Sequence, residues 1–556
     1  MAGGSISSLL TIGSGRRAFA AMQHERPRLR LAAPLLALAL AISACSQSIS
    51  PSTEVAEERP DRVFLASLQE VTDLYIDPVD LGTLAVAGLN GLAKVDPTVN
   101  ATREGELVRI RGDQRNIVEI PAPPSRNAPA WAAVMTRAVA AARADSRKLS
   151  TAESDAVYDA VLTAMVAGLD RFSRYAGSDV AREQRASRDG FGGIGVTINV
   201  ENGVTRIVSV IPESPAAMAG VQVDDQILTI DGNGAAGLDQ REVVQLLRGR
   251  VDSTVRLTIA RPGIIDLLEV PITRQRIVVP TIRVEHIGPI AHVRILSFNQ
   301  QTGRRLVEAL EQLLAERAGQ LRGVILDLRN NPGGLLDQAV RVADAFLGEG
   351  PIIATRGRHP ASNQSFEAGA RDMMRGVPMV VLINGGSASA AEIVAAALQD
   401  RGRAVVVGSA SFGKGTVQTV MRLPNDGELT LTWARLLSPS GYLLHEHGVI
   451  PTICTNGLVD DTASLRLGLL RETRAMGPGG AAATPRMQLD DDGWRTLRNT
   501  CSGQSREQDV DVKLAERLLL DGSLFQRALR LSQAAVAPPR PGASVADRRR
   551  TTELRQ

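Results

Sequence analysis

Between residues 276 and 455, four apolar runs (IAHVRI, GVILDL, MVVLI and RAVVVG) alternate with segments of helical periodicity, GRRLVEALEQLLAER, LLDQAVRVADAFL and SAAEIVAAALQD. Short apolar runs without polar alternation fit strands covered on both faces, and strands interleaved with helices build a layered α/β core. The chain has 556 residues, and a single core stops growing at roughly 250 to 300 residues, so the remainder must form further domains. Residues 62–185 are mainly helical in pattern (VFLASLQEVTDLY, DAVYDAVLTAMVAGL), interrupted at about 96–127 by a polar, Pro-bearing stretch that fits irregular structure or short strands. Residues 188–275 change to short alternating strands (GVTINV, TRIVSVI, QILTIDG, STVRLTIAR) with one helix, LDQREVVQLLRG, which marks a small β-rich domain.

Near the start, Arg26, Arg28 and Arg30 precede LAAPLLALALAISAC, a run too short to span a bilayer and suited to the apolar region of a secretory signal. The long positive region before it makes Met22 an alternative start. The run ends Ile42-Ser43-Ala44-Cys45, which resembles the lipobox of bacterial lipoproteins and implies acylation of Cys45; a plain signal peptide cut near Ala44 is the alternative. A Ser/Pro/Glu-rich stretch then reads as a linker. These features predict an exported protein facing the periplasm, tethered to a membrane through Cys45. Cys454 and Cys501 remain, and either a disulfide or two buried thiols fit. The net charge of +3 sits largely in an Arg-rich tail after Pro538 and makes no case for nucleic acid. His445-x-His447 lacks further ligands, so neither a metal nor another cofactor is expected.

In such a core, chemistry gathers where strand C-termini meet helix N-termini. GVILDL runs into LRNNPGG and a helix; MVVLI runs into NGGSASAAE and a helix. Each junction aims unpaired amides and a positive dipole end at one place. A nucleophile at Ser389 would put the Ala390 amide beside any oxyanion it creates, with Gly333 or Gly334 supplying a second donor. The plainer reading is a helix-capping serine and a glycine turn. Lysine usage shifts the balance: the chain has only Lys94, Lys148, Lys414 and Lys513 against 59 arginines. Arginine cannot act as a base, whereas a buried lysine can lose its proton. Lys414 lies in SFGKGTVQ between two strand runs. Gln418, four residues on, falls on the same face of a regular strand and could orient the lysine, though a solvent-facing glutamine fits equally. Ser387 is a further candidate neighbour, and Glu392 reads as an ordinary first-turn residue complementing the dipole.

The segments LDLRNNPGGLL, NGGSASAAEIVAAALQDRGRAVVVG, SFGKGTVQ and LTWARLLSPSGYLLHEHGVIP resemble successive motifs of the carboxyl-terminal processing (tail-specific) peptidases, a Ser–Lys serine peptidase family. The resemblance covers about 188–452. It implies Ser389 as nucleophile, Lys414 as general base, Gln418 as the residue orienting it, and Ala390 with Gly333/Gly334 as the oxyanion hole. Ala391 departs mildly, where many relatives carry serine, and GLDRFSRYAG is reminiscent of the turn before the family's β-rich domain. GFGGIGV at 190–196, with IPESPAAMAGVQVDDQILTIDG, is similar to a PDZ domain. There the amides of Gly192, Gly193, Ile194 and Gly195 would cradle a terminal carboxylate, the strand from Val196 would pair with a peptide, and Val244 and Leu247 would line the last side-chain pocket.

The expected fold is therefore multidomain α/β. Its parts are a signal peptide (1–44), a lipid-anchored linker (45–60), a helical N-terminal domain (61–187), an inserted PDZ domain (188–275), a crotonase/ClpP-like layered α/β peptidase core (276–455), a helical C-terminal region (456–536) and a disordered tail (537–556). The expected activity is endoproteolysis of envelope proteins with exposed apolar C-termini, in processing or quality control, with a homo-oligomer or adaptor partner left open. Alternatives are an idle PDZ adaptor that hands tails to another protease, a crotonase-like acyl-CoA enzyme, and a Ser-His-Asp hydrolase using His445 or His447. The intact Ser389 and Lys414, the export signal and the missing GxSxG elbow disfavour them in turn.

Overall fold

The computed structural model describes residues 60–534, apart from 114, 318, 370, 459–485, 487, 488, 506 and 508. The signal segment, Cys45, its linker through residue 59, part of the expected helical C-terminal region (459–485) and the tail from 537 lie outside the described residues. Among the described residues no helix is long and apolar enough to cross a membrane.

The core sheet has the order Ile282–Ile287, Ile290–Ile295, Gly323–Asp327, Met379–Ile383, Val405–Gly408, Ile453–Cys454. Its first pair is antiparallel and the rest are parallel. The central strands read as unbroken apolar runs because both faces are covered. Val324, Leu326, Val381, Ile383 and Val406 face helices Thr302–Arg317, Leu336–Asp344 and Ala390–Asp400. Ile325, Val380, Leu382, Val405 and Val407 face Asp509–Leu520 and Gly522–Ala534. The helical C-terminal region thus supplies the second layer, and each such side chain contributes roughly 1.5–3 kcal/mol by its burial.

Two further ties hold that layer. Arg329 bridges Asp327 at 2.7 Å and Asp511 at 3.2 Å, all buried; burial alone would protonate Asp327, but bonds from His292 and Arg329 hold its carboxyl well below the usual range. Cys454 and Cys501 form a disulfide with their Cα atoms 5.9 Å apart. It joins the last core strand to the end of helix Asp491–Thr500.

A second sheet, Gln364–Ala368, Gly350–Arg356, Glu428–Leu437, Thr416–Arg422, stands beside the first, and Arg174–Ala176 pairs onto its long strand. Leu423, Leu429 and Leu431 from this sheet enter the core of the N-terminal domain, whose interrupted middle is a three-stranded antiparallel sheet, Asn100–Glu104, Leu107–Gly112 and Arg115–Pro121. The β-rich domain is a twisted antiparallel sheet with Val196–Glu201 at one edge and helix Gln240–Leu247 beside it, started by an Asp239/Glu242 capping box. The chain enters and leaves this domain through one paired ribbon, Phe191–Gly193 against Gln275–Ile277, so the domain is an insertion on an antiparallel stalk.

Candidate active site

The strands Gly323–Asp327 and Met379–Ile383 are parallel neighbours, so the turns that follow them lie side by side. They are stitched together densely. The Ala388 amide donates to Asn331 O at 2.9 Å, the Asn330 amide to Asn384 Oδ1 at 2.9 Å, and the Ser387 hydroxyl to Leu328 O at 2.8 Å while receiving the Asn384 amide at 2.9 Å. Ser387, fully buried, is therefore a fastener between turns and offers no group to a reaction. The segment after the disulfide braces the nucleophile turn from behind, where Gly385 N donates to Gln504 O at 2.8 Å, and the chain leading to Lys414, where Ala410 N donates to Cys501 O at 3.3 Å.

Ser389 heads helix Ala390–Asp400 with φ +54° and ψ −112°. A non-glycine residue there stores about 1–3 kcal/mol and persists only when its surroundings over-determine it. The opposite turn fits against it. A Cβ on Gly333 (φ +99°) would lie 2.7 Å from Ala388 O and 2.8 Å from Ser389 Cβ, and one on Gly334 (φ +145°) would lie 2.1 Å from Phe298 O. Both positions therefore require glycine. Their amides differ. The Gly333 N–H is committed to Asn331 Oδ1 at 2.8 Å, so the expectation that Gly333 donates to an oxyanion is corrected. Phe298 bonds Gly333 O and Leu335 N, leaving the Gly334 amide without an acceptor among the described residues. With the Ala390 amide at the helix start, Gly334 makes a pair of donors fit for an oxyanion.

Ser389, Ala390, Gly334, Lys414 and Gln418 line one cleft of about 360 Å³, whose remaining wall includes Leu335, Leu336, Ile393, Val417, Val420 and Leu436. No carboxylate side chain lines it, and neither does His445 or His447; His447 is instead stacked on Trp494. Lys414 is half-buried. Its Nζ lies 5.4 Å from the centre of the Phe172 ring and, among the described residues, takes no ion pair or hydrogen bond, so none joins it to the Ser389 hydroxyl. Burial, with help from the Arg174 charge, lowers its pKa against the opposing charges of Glu392 and Asp170. A lysine so placed approaches the neutral form that can accept a proton.

Gln418 reaches the cleft, but its amide donates to Thr416 Oγ1 at 2.8 Å and Thr432 Oγ1 at 3.3 Å, not to the lysine. The cause is local: Lys414 precedes the strand Thr416–Arg422, and a bulge between Val417 and Gln418 breaks the two-residue alternation. The expectation of direct orientation is thus corrected to a threonine-held amide. Thr432 donates in turn to Asp170 Oδ1 at 3.1 Å, so the GLDRFSRYAG turn, with Phe172 and Arg174, forms the wall around the amine.

Sequence reasoning missed two contributors. Glu392, taken as an ordinary first-turn residue, is fully buried and accepts the Ser389 amide at 2.7 Å, the Ser411 hydroxyl at 2.5 Å, the Gly413 amide at 2.7 Å and the Lys414 amide at 2.9 Å. Helix Ser178–Asp189, polar in composition, brings Gln184, Ser187 and Arg188 to the cleft and is anchored by Arg185 and Arg188 to the buried Glu428 at 3.0 and 2.8 Å. A glutamate three residues into a helix carries no sequence mark that separates a cap from a buried clamp.

In the β-rich domain, Gly192 and Gly193 belong to the paired stalk strand, and the Gly192 carbonyl accepts the Gly249 amide at 3.0 Å. The side chains of Ile194 and Leu247 belong to the core of the domain, so Leu247 is turned inward rather than into the expected pocket, whereas the expectation for Ile194 concerned its amide, which side-chain burial does not touch. Val244 packs partly against that core. Gly195 (φ +84°) abuts Ser214, where a Cβ would come within 2.3 Å. Val196 opens the sheet's edge strand, whose outer side carries no partner strand, and that is the geometry for adding an extended peptide.

Residues 289–455 match peptidase family S41 and residues 206–261 match a PDZ domain. A carboxy-terminal-processing protease of Bartonella bacilliformis is 42% identical over 294 residues, spanning 52% of this chain and 68% of that protein. The carboxy-terminal processing protease CtpA of Bacillus subtilis is 33% identical over 311 residues, spanning 54% of this chain and 64% of that one. Among solved structures, a photosystem II D1 C-terminal processing protease aligns with 23% identity over 76% of this chain and 98% of its own, at a TM-score of 0.38. A layered α/β core with an inserted PDZ domain and this sequence kinship define a serine protease of the tail-processing class. The chain belongs to peptidase family S41, among the carboxy-terminal-processing proteases.

Proposed function

We propose that the chain is an endopeptidase that cleaves protein tails by acyl transfer through a Ser389/Lys414 dyad. Neutral Lys414 takes the Ser389 proton as the hydroxyl attacks the scissile carbonyl, and the amides of Ala390 and Gly334 receive the oxyanion. The protonated lysine then returns its proton to the leaving amine, and the same amine activates water for deacylation. The observation that carries this reading is a half-buried lysine whose amine, among the described residues, takes no hydrogen bond or ion pair and faces only the Phe172 ring, lining the same cleft as a strained serine at a helix start. Its flexible stem must swing to the hydroxyl for the first step. Gln418, held by its threonines, limits where that swing ends. The tail reaches the cleft by pairing with the edge strand from Val196 of the PDZ domain.

The protein acts in the bacterial envelope, facing the periplasm and held to a membrane by lipid on Cys45. The lipobox-like Ile42–Cys45 and the Cys454–Cys501 disulfide, which suits an oxidising compartment, support this placement. The test compares wild type, Ser389→Ala and Lys414→Ala on a substrate with an apolar tail, free or amidated at its end. Loss of cleavage in both variants is expected; wild-type turnover by Lys414→Ala at neutral pH would end the assignment of the base. Labelling with a radioactive fatty acid, lost in Cys45→Ser, tests the anchor.

A further inference from the structure

One carboxylate oxygen touches the main chain of both proposed dyad residues. Oε2 of Glu392 accepts the amide of Ser389 at 2.7 Å and that of Lys414 at 2.9 Å, while Oε1 accepts Ser411 Oγ at 2.5 Å and Gly413 N at 2.7 Å. Three of the four donors come from a loop 19 to 22 residues further along the chain, so the carboxylate does far more than complete the first turn of its own helix. We propose that Glu392 is a positioning residue of the reaction: through one oxygen it fixes the Ser389 and Lys414 main chains against each other, and it sets a buried negative charge behind the base. This rests on the dyad reading above.

Two nitrogens bonded to one atom can lie no further apart than the sum of the two bond distances, so nucleophile and base share a single fixed reference. Ser389 needs such a reference because its positive φ is held from outside. The acceptor capacity of the carboxylate is filled by four donors, and a protonated carboxyl would turn its own O–H against one of them. Burial raises the Glu392 pKa above the usual carboxylate range and the four donors pull it back, so the case for a carboxylate here rests on the donor geometry, in which every contact is an N–H or O–H pointing at an oxygen. The site is walled in: a Cβ on Gly448 would stand 3.1 Å from Oε1.

The charge has a second consequence. Around Lys414 stand Arg174 on the strand Arg174–Ala176, Asp170 in the preceding turn, and Glu392 on the nucleophile helix. Beyond the Phe172 ring lies His445, itself flanked by Glu446, Arg171 and Arg435. Arg174 and burial favour the neutral amine, and Glu392 opposes them ahead of Asp170. A general base stripped of too much basicity draws protons poorly, so the Glu392 charge keeps Lys414 strong enough to act.

The test separates position from charge. Glu392→Gln keeps the size, removes the charge, and puts an NH2 against two N–H or O–H donors whichever way it points. We expect kcat to fall about 100-fold with KM within about threefold, and the acid limb of kcat/KM to move to lower pH by roughly half a unit to one unit. Glu392→Asp keeps the charge but withdraws it by one methylene; kcat should fall while the limb stays in place. Ser411→Ala removes one donor to Oε1 and should cost less than about tenfold with no shift. His445→Phe should also leave the limb unmoved, which assigns it to the lysine. A folded Glu392→Gln with wild-type kcat and an unmoved limb would overturn the proposal. If that variant does not fold, full activity in both Glu392→Asp and Ser411→Ala overturns it. An active Lys414→Ala would instead break the dyad reading, whereas an inert Lys414→Ala beside an undisturbed Glu392→Gln breaks only this inference.

Discussion

The turn that carries Ser389 and the loop that carries Lys414 are built to opposite rules. Around the serine nearly every polar group is spoken for: Asn331, Asn384, Ser387 and Glu392 hold backbone amides or carbonyls of the two strand-to-helix turns, and the chain after Cys501 closes them from behind. The lysine main chain is held by Glu392, yet among the described residues its amine takes no hydrogen bond or ion pair and only faces the Phe172 ring. The difference shows where this site spends rigidity. An oxyanion hole must not reorganise during reaction, while a proton carrier must reach the hydroxyl, the leaving amine and a water in turn.

The sharpest break of that comparison is removal of either reacting group. Ser389→Ala and Lys414→Ala should each lower kcat by at least about a thousandfold without lowering the melting temperature, as read by peptide-tail hydrolysis and thermal unfolding. In wild type, kcat/KM should rise with pH as Lys414 deprotonates and level off at a pH below the ordinary lysine range, since burial lowers this amine's pKa. A limb at the unperturbed lysine value would show an amine too well solvated for this role. Next comes the brace. The disulfide spans 47 residues, and replacing both cysteines by serine should remove about 4 kcal/mol of stability by the loop-entropy relation, a factor of roughly 1,000 in the folding equilibrium, measured by urea unfolding. Gly334→Ala, whose Cβ would collide with Phe298 O, should lower kcat by about 100-fold and leave Gly333's bond to Asn331 intact. The smallest effect belongs to the PDZ edge strand: amidating the substrate's C-terminus should raise KM by about tenfold, and no change would remove tail reading from that domain.

Much of the core was legible in the chain because its signals are local. Unbroken apolar strands between amphipathic helices can be satisfied only by a sheet covered on both sides, and a lysine between glycines, one of only four in a chain that writes most of its positive charge as arginine, marks a position where lysine chemistry is needed. Glu392 was illegible for the opposite reason. In the sequence it is a common first-turn acid, and its partners Ser411, Gly413 and Lys414 become its partners only when two distant segments meet. Gln418 departs from the reading because a bulge interrupts the strand periodicity, and Leu247 because a small domain uses its best apolar residues to build its own core before any pocket.

The sequence by itself determined the layered architecture, the inserted domain and the two residues proposed to react, since hydrophobic periodicity and residue chemistry are properties of each segment alone. Only the tertiary structure decided which of two glycine amides is left for an oxyanion, what holds the glutamine, and that one buried carboxylate ties serine to lysine. Those answers depend on which hydrogen-bond donors find acceptors across the fold, and a donor's availability is fixed by neighbours that the chain order does not name.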